Sequence, residues 1–526
     1  MLSHVSRLCR KCNIRLAQIC FFVVSALSLL WTDLDVVFAC CLMSLFLSGV
    51  NVPVSLIAVH CFMLSYTPYC IPLGVFSMGA FVWLWRNGFS GVSSFGSAIL
   101  QSAAVGFTMC WSISGFIVPA IDSYGLVIQA IICCVFSLQY VAIGIATYLT
   151  REVVWLRAQM IIFVCAMVFE LLEAYMGVCW SATNILLSIA YTPLAQWSRV
   201  LTPFGLAGVI YWLGIGFYGF FERLLEGRIQ IVFPSSVMFV LLWIGGLLQS
   251  NTECAPLGLS VALVQPHVHH RMGQKWQPWE LLDRLTFENT KNDLAVDLVV
   301  WPETSIPESW SPGQAESTFL NFGLYDMLDR ARNRYRTNLI AGCVISEKGL
   351  EKERDINRYN CACLFTSEGE LAIHKKLILV PLREQLPVLL RFEWVRGAIH
   401  QWFGMNAIFS AGAQFHHFEI ETRTGDTTKI LPVVCYESWH PWLPQFSNTN
   451  SPRVYLLYDG DFFSRPELVE RQIQGISLRS IETRSWGLVC STWVGTCIID
   501  PYGKIVRKAP PCEFVLRTDT LVEVKK

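Results

Sequence analysis

The chain has 526 residues and no formal net charge, with 53% hydrophobic but only 15% charged residues. Soluble proteins carry about 25% charged residues, so this composition argues against an ordinary soluble protein, and the lack of a basic surplus argues against a nucleic-acid partner. Residues 1–250 hold 10 Lys/Arg and 8 Asp/Glu, whereas residues 251–526 hold 30 and 32. We therefore predict a membrane domain over 1–250 and a domain of soluble composition over 251–526.

The first domain contains successive apolar runs that predict a polytopic α-helical membrane protein. The runs lie near residues 17–31, 36–50, 54–68, 71–85, 95–118, 124–148, 153–178, 203–221 and 229–248. We predict nine membrane helices, with seven as the alternative because the first four runs are short and closely spaced. The stretch at 180–210 is less apolar and is either an interfacial or re-entrant element or a plain loop.

Basic residues indicate the orientation of this domain. Those before the first run also fit a signal peptide, but further runs follow, which favours an uncleaved first helix. Arg86, the pair Arg151 and Arg157, and the pair Arg223 and Arg228 mark three loops as cytoplasmic by the positive-inside rule. With a cytoplasmic N-terminus and an odd number of crossings, the second domain lies on the outer face.

The cysteines give no sign of a metal or redox centre. Twelve of the 20 lie before residue 251, where we interpret them as apolar fillers, and the later eight show no disulfide-framework spacing. Cys9 and Cys12 form a CxxC without a second pair at zinc-binding distance. We therefore predict no metal and no cofactor.

From residue 259 onward the pattern becomes that of a layered α/β domain. Strands are predicted near 260–265, 297–301, 338–342, 358–366, 431–434 and 454–457, with paired strands within 487–499. Helices are predicted near 278–290, 314–333 and 466–484.

Three chemically suited residues stand where such strands end: Glu303, Lys376 and Cys435. A thiol can attack a carbonyl while a carboxylate takes its proton, and a lysine cation can stabilise the oxyanion that forms. Each residue also has a structural interpretation, namely a helix N-cap, a surface lysine and a core cysteine. Spacing in the sequence does not decide whether they converge.

The segments around these residues resemble the three signature blocks of the nitrilase (carbon–nitrogen hydrolase) superfamily. The blocks are Val299–Thr304, His374–Pro381 and Val434–Glu437, in the order of that family's Glu-Lys-Cys triad. A multi-span domain before them makes the chain similar, from about residue 54 onward, to the apolipoprotein N-acyltransferase family. The resemblance implies an αββα sandwich after the membrane domain.

The resemblance also implies roles for individual residues. Glu303 would be the base, Lys376 the catalytic lysine and Cys435 the nucleophile. Supporting or substrate-binding roles fall on Trp276, Glu384, Tyr436, Glu437, Arg479 and Glu482.

Some positions depart from the family pattern. Leu382-Arg383 replaces a Phe-Gly, Asp459-Gly460-Asp461 replaces an Asn-Asp loop, and Thr492-Trp493-Val494 replaces an Asn-Gly. We also expect no counterpart of the family's last membrane span. These departures bear on acyl-donor preference more than on the type of reaction.

The implied function is N-acyl transfer in lipoprotein maturation. A fatty acyl chain would move from a membrane phospholipid, through a cysteine thioester, to the N-terminal amino group of a diacylglyceryl-cysteine apolipoprotein. The implied location is the bacterial inner membrane, with the catalytic domain in the periplasm. Two alternatives stay open: a membrane-anchored amidase that uses water as acceptor, and a catalytically weak lipid-binding relative.

Overall fold

The computed structural model describes just over half of the chain. The described residues are 95–96, 99–100, 102–103, 106–107, 125–150, 155–176, 185–225, 233–254, 256–268, 278–288, 296–306, 333, 336–348, 356–380, 384–385, 409–440, 453–458 and 466–517. The first four apolar runs lie outside these ranges, as do Trp276 and nearly all of the predicted helix at 314–333. Within the ranges, the helices fall short of the length and apolar character that a bilayer crossing requires.

The chain divides into two compact units. The first comprises Met1–Leu172, Thr183–Trp197 and Leu201–Leu247, and the second comprises Glu173–Ala182, Ser198–Val200 and Leu248–Lys526.

The last four predicted apolar runs are α-helices. They are α1 (Gly125–Leu149), α2 (Trp155–Met176), α3 (Ser198–Leu225) and α4 (Phe233–Ser250). Helix α3 is kinked at Thr202, which has a φ of 62° and precedes Pro203. A proline inside a helix removes a backbone donor and its ring clashes with the preceding turn, which explains the kink.

The stretch before α3 is an ordered element, not a plain loop. It forms two 3₁₀-helices, Ile185–Ile189 and Pro193–Trp197, with several buried side chains. The Trp197 indole donates to the Leu242 carbonyl at 2.7 Å. Gly246 packs so close to the Pro193 carbonyl that a Cβ at this position would clash with it. The glycine therefore lets α4 approach this stretch.

The second unit contains a six-stranded mixed sheet in the order β12-β1-β2-β3-β4-β5. Its strands are β1 (Val261–Gln265), β2 (Leu298–Val300), β3 (Asn338–Lys348), β4 (Ile356–Phe365), β5 (Leu371–Lys375) and β12 (Phe514–Arg517). Strands β1, β2 and β3 are parallel, while β4, β5 and β12 run antiparallel to their neighbours.

A four-stranded sheet in the order β11-β10-β9-β8 forms the second layer. Its strands are β8 (Arg453–Tyr458), β9 (Gly487–Ser491), β10 (Cys497–Ile499) and β11 (Ile505–Lys508). A separate hairpin pairs β6 (Phe418–Glu421) with β7 (Thr427–Ile430).

Two apolar clusters show how these layers stack. One contains residues of β1 to β4 together with Leu488, Cys490 and Ile498, so the two sheets pack face to face. The other lies on the opposite face of the six-stranded sheet and includes Leu282 and Leu285, from α5 (Pro278–Asp283) and the π-helical turn Arg284–Glu288 after it. Helix α6 (Pro466–Thr483) packs on the four-stranded sheet, where Ile476 and Ser480 contact Gly487 of β9. The resulting helix–sheet–sheet–helix order agrees with the predicted αββα sandwich.

Two features of this unit differ from the sequence analysis. The prediction of a strand at 431–434 is wrong, because residues 431–433 lie in no strand and Val434 forms only a single β-bridge. The segment then passes at once into a 3₁₀-helix, Cys435–Trp439. Cys343 and Cys363 form a disulfide between β3 and β4, which the spacing of the cysteines did not indicate. The pairing depends on cross-strand register, which the linear spacing does not report.

Candidate active site

Glu303 follows the end of β2, in a backbone segment held against β3. Trp301 donates its N–H to the Ile340 carbonyl at 2.8 Å, and Gly342 donates to the Pro302 carbonyl at 3.2 Å. A Cβ at Gly342 would lie 2.6 Å from the Glu303 Cα, so only glycine allows this approach. The Glu303 side chain is buried and accepts a hydrogen bond from the Asn360 amide at 2.6 Å.

Lys376 follows the end of β5 and is almost fully buried, with 1% of its surface exposed. Its backbone N–H donates to the Asn360 carbonyl at 2.8 Å. Its ammonium lies 2.9 Å and 2.8 Å from the two carboxylate oxygens of Glu384. The Val380 N–H donates to the same carboxylate at 2.7 Å, which fixes the counter-charge beside the lysine.

Asn360 connects the base candidate to the lysine pair. Its Nδ2 donates to Oε1 of Glu303 at 2.6 Å and to Oε1 of Glu384 at 3.2 Å. One amide therefore holds two carboxylates and, through Glu384, the lysine in a single buried network. The sequence analysis missed Asn360, although an asparagine directly before the apolar end of β4 (Cys361–Phe365) was a usable signal, since asparagine is depleted in strands.

Cys435 is the first residue of the 3₁₀-helix Cys435–Trp439, which we call the cysteine turn. Its φ of 48° lies in the left-handed region that non-glycine residues rarely adopt. Such conformations persist only where the surrounding structure imposes them, and they cluster at functional sites. The residue as a whole is partly exposed, and its sulfur accepts a hydrogen bond from the Gln472 amide of α6 at 3.7 Å.

Glu437 joins the cysteine turn to the lysine segment. Its Oε2 accepts from the Val434 N–H at 2.8 Å, and its Oε1 accepts from the N–H groups of Leu377 and Ile378 at 2.7 Å and 3.3 Å. His374 Nε2 lies 3.5 Å from Oε2. The fully buried Glu437 therefore fixes the turn against the residues that follow β5.

The orientation of His374 follows from its other contacts. The His416 N–H donates to His374 Nδ1 at 3.4 Å, so Nε2 carries the proton directed at Glu437. The ring stacks on Phe415 with a centroid separation of 5.2 Å.

The remaining predicted site residues lie behind the cysteine turn. Tyr436 is buried and packs edge-on against Trp439 and His440. Arg479 of α6 donates to the Trp439 carbonyl at 3.4 Å and pairs with Glu482 at 2.5 Å, both side chains being buried. These contacts support the turn from the α6 side.

The charges of the site act on one another. Burial would lower the pKa of Lys376, but the negative charge of Glu384, followed by that of Glu303, raises it overall, so the ammonium stays protonated. Burial and the nearby carboxylate of Glu303 raise the pKa of the Cys435 thiol, and the Lys376 charge only partly opposes them. The resting sulfur is therefore a thiol, and a base must take its proton before or during any attack.

The structure thus brings Glu303, Lys376, Glu384 and Cys435 together in one electrostatically coupled site and places Tyr436, Glu437, Arg479 and Glu482 around the cysteine turn. Trp276 lies outside the described residues. The described part of the chain holds no group of three or more His, Cys, Asp or Glu side chains arranged to bind a metal ion.

Comparison with known proteins agrees with this description. The carbon–nitrogen hydrolase family model matches residues 260–516. Proteins named apolipoprotein N-acyltransferase are 25% identical over 291 residues in Pseudomonas putida and 27% identical over 280 residues in Azotobacter vinelandii. These matches cover 54% and 52% of this chain and 53% and 50% of the relatives, so the chain spans about half the length of the curated relatives it matches.

Solved structures of the nitrilase superfamily are also similar to this chain. Nit3 of Saccharomyces cerevisiae is 17% identical, with a TM-score of 0.35, and the match covers 52% of this chain and 98% of Nit3. The NitN amidase is 15% identical, with a TM-score of 0.33, and the match covers 49% of this chain and 91% of the amidase. The matched family and the curated relatives carry the names of enzymes, which agrees with the prediction that this chain is an enzyme. Residues 260–516 form a carbon–nitrogen hydrolase domain.

Proposed function

We propose that this chain is an N-acyltransferase of the apolipoprotein N-acyltransferase kind, with Cys435 as nucleophile, Glu303 as general base and Lys376 as oxyanion-stabilising cation. The observation that carries the proposal is the single buried network in which Asn360 links Glu303 to the Lys376–Glu384 pair beside the Cys435 thiol. The relatives' name supports transfer of an acyl group to an apolipoprotein.

The first half-reaction would load the thiol with a fatty acyl chain from a membrane phospholipid. Glu303 takes the proton as the Cys435 sulfur attacks the ester carbonyl, and the oxyanion forms near the Lys376 ammonium. The carbon–oxygen bond then breaks, and the departing lysophospholipid alcohol takes the proton from Glu303. The product is a thioester on Cys435.

The second half-reaction would pass the acyl chain to the N-terminal amino group of a diacylglyceryl-cysteine apolipoprotein. The amine attacks the thioester carbonyl and gives a proton to Glu303. The carbon–sulfur bond breaks, and the sulfur takes the proton back. Trp276, Tyr436 and the residues around the cysteine turn would support the site or bind substrate.

Both substrates are lipids, so we propose that residues 1–250 are a multi-pass domain of the bacterial inner membrane. The apolar runs support this, as do the exposed apolar side chains Met160, Ile161, Val164 and Val168 along one face of α2. The proposed periplasmic position of the catalytic domain is supported by the arginine distribution and by the Cys343–Cys363 disulfide, since disulfides persist in oxidising compartments.

The direct test is to trap the acyl-enzyme. The full chain, reconstituted with radiolabelled phospholipid and without acceptor, should acquire a hydroxylamine-sensitive label that maps to Cys435 by peptide mass spectrometry. Cys435→Ala should abolish the label, and Cys512→Ala, at an exposed cysteine, should retain it. Label that persists in Cys435→Ala would overturn the assignment.

The amidase alternative has one observation in its favour, because the matched domain is that of carbon–nitrogen hydrolases. Adding a diacylglyceryl-cysteine peptide separates the two functions. A transferase moves the label to the peptide, whereas a hydrolase releases free acid at the same rate with or without it. Lipid binding without any acyl-enzyme would indicate the catalytically weak relative.

A further inference from the structure

Helix α6 lies unusually close to the cysteine turn. The Trp439 indole donates to the Arg471 carbonyl at 3.3 Å, and Arg479 donates to the Trp439 carbonyl at 3.4 Å. Between them, a Cβ at Gly475 would lie 2.5 Å from Cδ1 of Trp439. Residues 471, 475 and 479 recur every four positions and so share one face of the helix. Gly475 lets this face meet the turn without an intervening side chain.

Gln472 lies on the same side of α6, one helical turn before Gly475. Its side chain is buried, with 2% exposed, and its Nε2 donates to the Cys435 sulfur at 3.7 Å. Within the described ranges this is the hydrogen bond that the structure shows at the sulfur. Burying an amide is costly without such a partner, so the contact has a physical reason to persist.

The surroundings of the Cys435 sulfur offset a negative charge on it only in part. Burial and the Glu303 carboxylate raise the pKa of the Cys435 thiol, while the Lys376 cation and the Gln472 amide lower it. The Lys376 ammonium is itself paired with Glu384 at 2.8 Å. An amide directed at the sulfur adds stabilisation without a further charge to bury.

We propose that Gln472 is a catalytic residue whose side-chain N–H stabilises negative charge on the Cys435 sulfur. The role rests on the proposed function, in which the sulfur carries charge twice. During attack, the thiol proton passes to Glu303 while the sulfur electron pair forms the bond to carbon. During transfer, the carbon–sulfur bond breaks, its electron pair returns to sulfur, and a proton follows from Glu303. The Gln472 hydrogen bond strengthens at both moments, because hydrogen bonds to charged acceptors are stronger than neutral ones.

The test measures thiolate formation directly, without acyl transfer. The full chain in detergent is alkylated with iodoacetamide between pH 6 and 10, and the rate at Cys435 is read by peptide mass spectrometry, because Cys134, Cys254 and Cys512 are also exposed. Gln472→Met keeps the length of the side chain and removes the donor. We expect its alkylation at pH 8 to be roughly tenfold slower than in the wild type, with the pH profile shifted upward.

Three further variants make the result specific to the hydrogen bond. Gln472→Glu should slow alkylation more than Gln472→Met does, because a carboxylate repels the thiolate. Gln472→His, which retains an N–H of similar reach, should recover most of the rate. Gln474→Met, at a buried glutamine two residues further along α6, should match the wild type.

An unchanged rate and pH profile in folded Gln472→Met would overturn the proposal. If that variant does not fold, equal rates in Gln472→Glu and the wild type would overturn it instead. Failure of the Gln472 proposal can be distinguished from failure of the proposed function. Absence of the acyl-enzyme in the wild type would refute acyl transfer and leave the alkylation comparison intact, whereas normal acyl labelling with an unaltered thiol in the Gln472 variants would refute only the role of Gln472.

Discussion

Replacing Glu384 by Gln should leave the Lys376 ammonium buried without its counter-charge. The two side chains are 1% and 9% exposed and lie 2.8 Å apart, so the pair is buried and not a screened surface contact. Removing one partner of such a pair costs about 3–5 kcal/mol. The lysine can limit the loss by releasing its proton, and neutralising a lysine at pH 7 costs about 5 kcal/mol, which sets the upper bound. We therefore expect a loss of about 3–5 kcal/mol near neutral pH.

The neighbouring lysine provides a matched control. Lys375 contacts Glu347 at 2.7 Å, but these side chains are 29% and 47% exposed. Solvent screens such a pair, so Glu347→Gln should cost less than about 1 kcal/mol. Hydrogen exchange of the β4 and β5 amides in the full chain measures both effects locally. A loss of 3 kcal/mol makes exchange about 100-fold faster.

A double variant tests the physical reason. Lys376→Met combined with Glu384→Gln removes the charge that Glu384→Gln leaves unpaired, so it should recover most of the stability while remaining inactive. The deficit of Glu384→Gln should also shrink as the pH rises toward 10, because its lysine then loses the proton that is costly to bury. A double variant no more stable than Glu384→Gln alone would show that unpaired charge is not the cause.

Two further predictions concern pH and packing. Burial, with the charge of Glu437 opposing it, lowers the pKa of His440 to about 3. Below about pH 6.5 the unfolded chain therefore binds a proton at His440 while the folded chain does not, so the free energy of unfolding should fall by about 2 kcal/mol between pH 7.5 and pH 5 because of His440. In His440→Gln, the free energy measured by hydrogen exchange should depend less steeply on pH over this range. Equal pH dependence in the variant and the wild type would contradict this prediction. Gly342→Ala would bring a Cβ 2.6 Å from the Glu303 Cα, so we expect a loss of about 2–3 kcal/mol and little acyl-enzyme, whereas Gly96→Ala, which has open space, should keep both.

Much of the second unit's fold could be predicted because its strands are apolar and its helices periodic. The segments at 260–265, 297–301 and 466–484 correspond to β1, β2 and α6. Strand β5 was missed because only part of it is buried, and β12 because it is a short strand at the edge of its sheet. The predicted strand at 431–434 was wrong because buried β-branched residues also line an extended segment between two sheets.

The site was predictable only in part from strand ends. Glu303, Lys376 and Cys435 were selected as residues at strand ends and on the family resemblance. The structure places Glu303 and Lys376 after strands, whereas Cys435 follows an extended segment, and β5 before Lys376 had not been predicted. Asn360 and Gln472 were not selected, because their roles depend on contacts made across 57 and 37 residues of chain. Such contacts are fixed by sheet order and helix packing, which composition and periodicity leave undetermined.

The position of Glu437, two residues after the nucleophile, makes it look like a rival proton acceptor. A carboxylate offers about four lone-pair sites, and Glu437 has four hydrogen-bond donors within the fold: three backbone N–H groups and the His374 ring. Burial would raise the pKa of Glu437, but the hydrogen bonds from His374, Val434 and Leu377 hold it below its usual value. Glu437 therefore has neither a vacant lone pair nor the basicity to accept the thiol proton. Glu437 therefore holds the backbone of the cysteine turn, and proton transfer is left to Glu303.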